Sequence, residues 1–325
     1  MPRSYQQLTY DERCQISALK ARGDSPSQIA RQLSRHRSSI IRELKRGSIE
    51  GNYQGSQAET RSRQRRFRKP TKMTPQLILA VEERLKLQWS PEQISGRLKM
   101  GESVKISHET IYKYIWSDKR KGGSLYKHLR HNGKKYNHRS KGTAGRGCIP
   151  NRIDIDQRPP IVDEKIRVGD WELDTIIGAD HDGVIVSMVD RHSKFTYLIK
   201  ASNKTSASVQ DAIVKKLSPV RDFVYTLTSD NGKEFACHEE IADILQADFF
   251  FARPYHSWER GLNEHTNGLV RQYLPKGTGF STCSHELLNE IEIRLNQRPR
   301  KVLNFQTPQE VFHKWTNPFK NACNL

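Results

Sequence analysis

The predicted strands and helices of residues 167–273 follow an order that few folds have. Three strand-like segments come first, at 171–177, 184–189 and 195–199, joined by short turns. The later segments alternate: a helix at 206–217, a strand at 223–228, a helix at 239–245, a strand at 249–251 and a helix at 259–273. Strands in direct succession pair as hairpins, whereas strands separated by helices favour parallel pairing. The order predicts a mixed five-stranded sheet with helices packed against it, an α/β domain.

This βββαβαβα order is that of the ribonuclease-H-like fold, in which the first and fourth strands are neighbours. Asp174 lies within the first predicted strand, Asp230 ends the fourth, and Glu264 lies in the first third of the last helix. The fold would therefore bring three carboxylates to one edge of the sheet. Oxygen-only ligands suit Mg²⁺ or Mn²⁺, and phosphoryl transfer often uses two such ions about 3.5 to 4 Å apart. We expect the three acids to hold two divalent cations.

Each acid also has an ordinary structural explanation. Asp230 opens a common Asp-Asn-Gly turn, Asp174 could be a strand-edge charge, and Glu264 could be a solvated helix residue. The helical period favours a site, because the last helix has one polar and one apolar face. The polar face holds Arg260, Glu264, Asn267 and Arg271, and the apolar face holds Leu262, Leu269 and Tyr273. Three nearby carboxylates remain alternatives: Asp170, Glu172 and Glu259.

The positive charge of the chain lies in its first half. Residues 1–150 contain 33 Lys and Arg against 12 Asp and Glu, a net charge of +21, whereas residues 151–325 carry −2. This excess points to nucleic acid as a partner. No apolar stretch approaches the roughly 18 residues of a membrane-spanning helix. Five cysteines without CxxC spacing argue against disulfides or a zinc module, and they fit a reducing compartment such as the cytoplasm.

Two similar helix-turn-helix patterns occupy the basic half. The first comprises predicted helices over 9–22, from Pro26 and from about Arg37, with capping residues at Thr9 and Ser25. Residues 25–33 match residues 90–98 at five of nine positions, and another helix follows from Ser107. Two amphipathic helix pairs could serve only for packing or dimerisation. Their repetition in a strongly basic region instead predicts all-α DNA-binding domains.

Five segments follow from these patterns. We expect a helix-turn-helix domain over 1–50, a basic linker over 51–72, a second helix-turn-helix domain over 73–118, a basic glycine-rich linker over 119–155 and the catalytic domain over 156–325. Both linkers would lie along the DNA backbone and add affinity without sequence specificity.

Several motifs resemble insertion-sequence transposases of the IS-thirty family. Two of them are long, SDNGKEF at 229–235 and PYHSWERGLNEHTNGLVRQYLPKG at 254–277. Shorter matches are GDWELD at 169–174, NQRPR at 296–300, TPQEVF at 307–312 and the first helix-turn-helix. The resemblance spans nearly the whole chain. It departs from the family at Asp170 and Leu173, where His and Gly are more usual.

The resemblance implies a DDE triad of Asp174, Asp230 and Glu264, with the basic residue Arg271 seven positions after the glutamate. It implies binding to double-stranded DNA, cleavage at terminal inverted repeats and transfer of the freed strand to target DNA. Two ends must meet, so at least a homodimer is expected in the active complex. The expected DNA contacts are Arg37, Ser38, Ser39, Arg42, His108, Thr110, Lys113, Arg260, Arg271 and Lys276.

Two other classes of protein remain open. A DNA-binding regulator would share the helix-turn-helix units but would not need three clustered acids. A metal-dependent nuclease of the same fold would cut DNA without joining it.

Overall fold

The computed structural model describes residues 7–67, 73–130, 149–253 and 261–317. The chain divides into two compact units, Met1–Thr74 and Pro75–Leu325. Within the described ranges, no helix combines the length and the apolar character needed to cross a membrane.

The described part of the first unit is a bundle of four helices. They are α1 (Tyr10–Ala21), α2 (Pro26–Gln32), α3 (Arg37–Gly47) and α4 (Gly55–Phe67). Thr9 and Ser25 begin α1 and α2 with capping boxes that bond otherwise unpaired backbone N–H groups. Ile16, Ile29 and Ile40, one from each of the first three helices, are fully buried together. This core confirms the helix-turn-helix predicted from the apolar spacing.

Helix α4 corrects the prediction of a basic linker over 51–72. Ala58 packs into the core of the first unit. Arg61 and Arg65 donate hydrogen bonds to the carbonyls of Gly47 and Arg46, at 3.1 and 2.9 Å. These cations stabilise the C-terminal end of α3, where backbone carbonyls lack helical partners. These bonds join residues 14 and 19 positions apart, so they cannot be recognised from the local sequence. The run of charges alone therefore predicts a solvated linker.

The second unit begins with a helical segment and continues into the sheet. Its helices are α5 (Pro75–Lys86), α6 (Pro91–Gly101), α7 (His108–Arg120), α8 (Ile161–Glu164), α9 (Ser206–Leu217), α10 (His238–Leu245), α11 (Gly261–Tyr273), α12 (His285–Asn296) and α13 (Pro308–Thr316). Its strands are β1 (Asp170–Ile177), β2 (Val184–Asp190), β3 (Thr196–Ala201), β4 (Thr226–Ser229) and β5 (Asp248–Phe251). Strand β4 starts three residues later than predicted, because Ser218–Phe223 forms a 3₁₀ helix.

The five strands lie in the order β3-β2-β1-β4-β5. Strand β2 runs antiparallel to β1 and β3, whereas β4 runs parallel to β1 and β5. Helices α9 and α10 cover the face that holds Trp171, and α11 and α12 cover the face that holds Ile176 and Ile185. This arrangement confirms the predicted ribonuclease-H-like sheet. The carboxyl ends of β1 and β4 meet at one edge.

The end of the glycine-rich stretch predicted as a linker over 119–155 belongs to this sheet domain. Ile149 is buried in the core beneath α9 and α10. The Phe251 N–H donates to the Ile153 carbonyl at 2.9 Å, which attaches this stretch to the outer strand β5. The prediction is therefore wrong from residue 149 onward. Residues 131–148 lie outside the described ranges.

Helix α6 packs against the loop that precedes α13. Gly96 faces the ring of Phe305. Arg97 forms a two-pronged ion pair with Glu310, with one N–O distance of 2.8 Å, and Lys301 pairs with Glu92 at 2.6 Å. Helix α6 is therefore joined to residues 301–310 by an apolar contact flanked by ion pairs.

We expect Gly96→Ala to lower the free energy of unfolding of the second unit by about 2 kcal/mol. An added Cβ would lie 2.2 Å from Cδ1 of Phe305. This overlap outweighs the roughly 1 kcal/mol that alanine gains over glycine inside a helix. Denaturant unfolding followed by tryptophan fluorescence measures the change, because all five tryptophans follow residue 74. Gly101→Ala is the control, since its Cβ meets nothing within 4 Å; equal stability of the two variants would contradict the contact.

Candidate active site

Strands β1 and β4 direct two of the predicted acids to the same side of the sheet. The parallel register pairs Glu172 with Thr228, and two further residues along each chain lead to Asp174 and Asp230. Paired residues of neighbouring strands point to the same face. Ile176 on that face packs with residues of α11, so the register directs both acids to the α11 side. Both residues are half-buried.

Asn267 connects α11 directly to Asp174. Its Nδ2 donates to Asp174 Oδ2 at 2.7 Å, and its Oδ1 accepts from the Ser187 hydroxyl on β2 at 2.9 Å. Glu264 lies one turn earlier on α11 and is exposed. The polar face predicted for this helix therefore lies over the carboxyl end of β1, and Asn267 positions the Asp174 carboxylate.

Asp230 sits in a tight turn after β4. Its Oδ1 accepts the backbone N–H of Gly232 at 3.0 Å. A Cβ at position 232 would lie 3.0 Å from that oxygen and 2.6 Å from Glu234 Oε2, so a larger residue there would have to displace the Glu234 carboxylate. Asn231 donates to the Ala252 carbonyl at 2.6 Å and ties the turn to the end of β5.

Glu234 is a further carboxylate of this region, and it is not among the acids predicted from the sequence. Its Oε1 accepts from the Thr175 hydroxyl at 2.8 Å, directly after Asp174 in β1, and lies 3.9 Å from Lys204 Nζ. The available signal was its place in the SDNGKEF motif, four residues after Asp230. The register of β1 beside that turn was needed to locate it.

Two of the alternative carboxylates have structural partners. Buried Glu172 pairs with buried Arg191 at 2.8 Å, and its second oxygen accepts the Asn263 N–H near the start of α11 at 3.2 Å. Asp170 is bonded by Arg167 and by the Thr226 hydroxyl. These partners anchor α11 and β4 to β1. The third alternative, Glu259, lies outside the described residues.

Among the described residues, no three His, Cys, Asp or Glu side chains form a group that could hold a metal ion. Asp174 and Asp230 share one face of the sheet edge by register, whereas Glu264 is not part of such a group with them. The chemistry of the three side chains fits a hard divalent cation, since carboxylate oxygens are the ligands that Mg²⁺ and Mn²⁺ prefer.

Arg271 has a different environment from the one expected. Its Nη2 donates to the Ile177 carbonyl at 2.7 Å, and its guanidinium lies over the Phe280 ring at 5.3 Å. Burial lowers the pKa of Arg271. The side chain therefore holds the end of β1 against α11. Lys276 is exposed, and Arg260 lies outside the described residues.

The expected DNA contacts of the two helix-turn-helix units lie near the amino ends of α3 and α7. Exposed among them are Arg37, Arg42, His108 and Lys113; half-buried are Ser38, Ser39 and Thr110. The Arg42 guanidinium donates to the Ser38 carbonyl and hydroxyl, at 3.0 and 2.9 Å. The Thr110 hydroxyl shares a hydrogen bond with the Ser107 cap at 2.9 Å. The four exposed side chains are thus better disposed to reach a ligand than the serines and Thr110.

Residues 4–47 match a family model described as a helix-turn-helix domain. The chain is 44% identical to the transposase for insertion sequence element IS4351 of Bacteroides fragilis, over 95% of this chain and 96% of that protein. It is 39% identical to the transposase for IS1086 of Cupriavidus metallidurans, over 94% of each.

The transposase InsI for element IS30A of Escherichia coli K12 is 35% identical, over 96% of this chain and 85% of that protein. Among solved structures, the catalytic core domain of BIV integrase aligns with 44% of this chain and 93% of that one, with 21% identity and a TM-score of 0.36. The similarity to the transposases runs through both units, so the chain belongs to the family of insertion-sequence transposases that includes the IS30 transposase.

Proposed function

We propose that this chain is a DDE transposase that binds the terminal inverted repeats of an insertion sequence, cuts the DNA there and joins the freed ends to target DNA. The observation that carries the proposal is the register of β1 and β4, which directs Asp174 and Asp230 to one side of the sheet edge beneath α11. That helix also bears Glu264. The family membership supports a polynucleotidyl transfer reaction rather than simple DNA binding.

Asp174, Asp230 and Glu264 would hold two Mg²⁺ or Mn²⁺ ions, which stabilise the negative charge that develops on the phosphoryl oxygens during in-line displacement. The other residues of the site orient these acids. Asn267 orients the Asp174 carboxylate through its 2.7 Å bond, and the Gly232 N–H orients that of Asp230. Glu172 anchors the start of α11 through the Asn263 N–H. Preorganised ligands of this kind lower the cost of assembling the transition state.

The basic helices would supply most of the DNA affinity. Arg37 and Arg42 on α3, and His108 and Lys113 on α7, are exposed where recognition helices meet a groove. We include Ser38, Ser39, Thr110, Arg260, Arg271 and Lys276 as further contacts on the strength of the sequence pattern. Because two element ends are joined to one target, we expect at least two copies of the chain in the active complex.

A strand-transfer assay tests this function. Purified full-length protein receives pre-cleaved element ends, a supercoiled target plasmid and Mg²⁺; the ends are the short inverted repeats in the DNA that flanks the gene. We expect the ends to become covalently joined to the plasmid. A nuclease would nick the plasmid and leave the ends unjoined, and a regulator would bind both DNAs and leave them intact. Either result would overturn the proposal.

A further inference from the structure

The NQRPR motif at the end of α12 contains two arginines that the proposed chemistry does not use. Its asparagine, Asn296, has a structural task, since its side chain exchanges two 2.8 Å hydrogen bonds with the backbone of Thr196 on β3. Arg298 is only 3% exposed and Arg300 is half-buried. Two arginine side chains, two residues apart in the sequence, are therefore wholly or partly buried.

The hydrogen-bond acceptors of these arginines are uncharged. Arg298 donates to the Tyr273 hydroxyl at 2.7 Å and, more weakly, to the side-chain carbonyls of Gln272 at 3.3 Å and Gln88 at 3.4 Å. Arg300 donates to the Leu295 carbonyl at 3.1 Å. Within the described ranges, the buried Nε atoms of both side chains have no hydrogen-bond partner. Neither guanidinium forms an ion pair with a described carboxylate.

The other buried arginines of the described chain are neutralised. Arg13 pairs with Glu43 at 2.7 Å, Arg158 pairs with Asp163, and Arg191 pairs with Glu172 at 2.8 Å. A buried cation without a counter-charge costs several kcal/mol unless an anion offsets it. Arg298 differs from these three arginines, because it has no ion pair with a described carboxylate. This indicates that the anion that neutralises Arg298 is not among the described residues.

A third arginine lies beside these two at the surface. Arg130 is exposed, and its Nη2 lies 3.4 Å from the position that a Cβ of Gly268 on α11 would occupy. Burial, together with the neighbouring charges of Arg298 and Arg130, lowers the pKa of Arg300 to about 10. Gly268 is one helical turn after Glu264. The arginine cluster, meaning Arg130, Arg298 and Arg300, therefore reaches solvent beside the helix that carries the third acid.

We propose that the arginine cluster binds a phosphate of the DNA backbone next to the cleavage site. A guanidinium fork matches the oxygens of a phosphodiester, and such charge-assisted bonds are stronger than neutral ones. Arg130 and Arg300 would contact the phosphate from the solvent side, with the buried charge of Arg298 behind them. The inference rests on the proposed function only in that the ligand is DNA.

The test is equilibrium binding of the full-length protein to a random-sequence duplex over a series of NaCl concentrations, without divalent cations. Each phosphate contact contributes a slope of about 0.9 to the plot of log affinity against log salt. We expect Arg300→Gln to reduce the slope by about one such contact and the affinity at 0.1 M NaCl by about tenfold. Arg300→Lys should keep the slope, because it keeps the charge. Arg221→Gln is the matched control, an exposed arginine preceding β4, at the end opposite Asp230.

Thermal unfolding with inorganic phosphate distinguishes the source of the anion. The proposal would be overturned if Arg300→Gln left the slope of the salt titration unchanged. In that case, a Tm that inorganic phosphate raises in the wild type but not in Arg300→Gln would show that the cluster binds free small anions instead of DNA. Arg300→Gln and Arg221→Gln should unfold at similar temperatures, and Arg300→Lys provides the comparison if the Gln variant does not fold. No strand is cut, so the result does not depend on the catalytic role of Asp174, Asp230 or Glu264.

Discussion

Asp230→Asn is expected to reduce DNA cleavage and strand transfer by about a thousandfold or more, while binding to element ends stays within about twofold of the wild type. Asparagine has the shape of aspartate and retains the oxygen that accepts the Gly232 N–H, so the turn after β4 should persist. What it loses is the negative charge that a divalent cation requires. The measurements are single-turnover cleavage of a labelled end duplex in Mg²⁺ and binding of the same duplex in its absence.

Asp222→Asn is the matched control for this variant. Asp222 is exposed in the 3₁₀ helix that precedes β4, whereas Asp230 follows β4, so the same change is made at opposite ends of one strand. We expect wild-type cleavage from Asp222→Asn. Cleavage by Asp230→Asn within tenfold of the wild type would refute its assignment. In that event Glu234, which accepts from Thr175 at 2.8 Å, is the next carboxylate to test.

The order of strands and the candidate acids could be predicted because both depend on local signals. Alternating apolar residues mark the strands, and the Asp-Asn-Gly turn marks the end of β4. The 3.6-residue period identifies the polar face of α11 that bears Glu264 and Asn267. With the fold order known, the neighbouring positions of β1 and β4 follow. Asp174 and Asp230 could therefore be predicted to lie on one side of the sheet edge.

The partners of charged side chains could not be predicted in the same way, because periodicity indicates a face but not what lies opposite. Glu172 looked like a catalytic alternative until its bond to Arg191, 19 residues away, was visible. The helical period placed Arg271 on the polar face of α11 but could not show that it donates to the Ile177 carbonyl, 94 residues away. The basic run after residue 60 looked solvated, although Arg61 and Arg65 bond to the end of α3. Each of these contacts depends on tertiary structure.

The largest loss of stability is expected from Arg13→Met in the first unit, about 3 to 5 kcal/mol. The buried Arg13 guanidinium joins three helices, since it leaves α1 and pairs with Glu43 of α3 at 2.7 Å and with Glu59 of α4 at 2.8 Å. It also donates to the Leu8 carbonyl at 2.6 Å. Methionine fills part of the volume but leaves the Glu43 carboxylate buried without its cation. A domain with ordinary stability of about 5 to 15 kcal/mol would lose much of its margin.

Hydrogen exchange of the α1 and α3 amides, read by mass spectrometry, measures this loss in the first unit alone. That unit contains no tryptophan, so tryptophan fluorescence of residues 75–325 serves as an internal control and should not change. Arg22→Met removes an exposed partner of Asp24 and should leave the exchange of these amides close to that of the wild type, because solvent screens such surface pairs. Adding Glu43→Met to Arg13→Met should restore part of the stability, because the unpaired buried charge is then absent. If the double variant is less stable than Arg13→Met, the loss arises from packing, and the buried ion pair is not its cause.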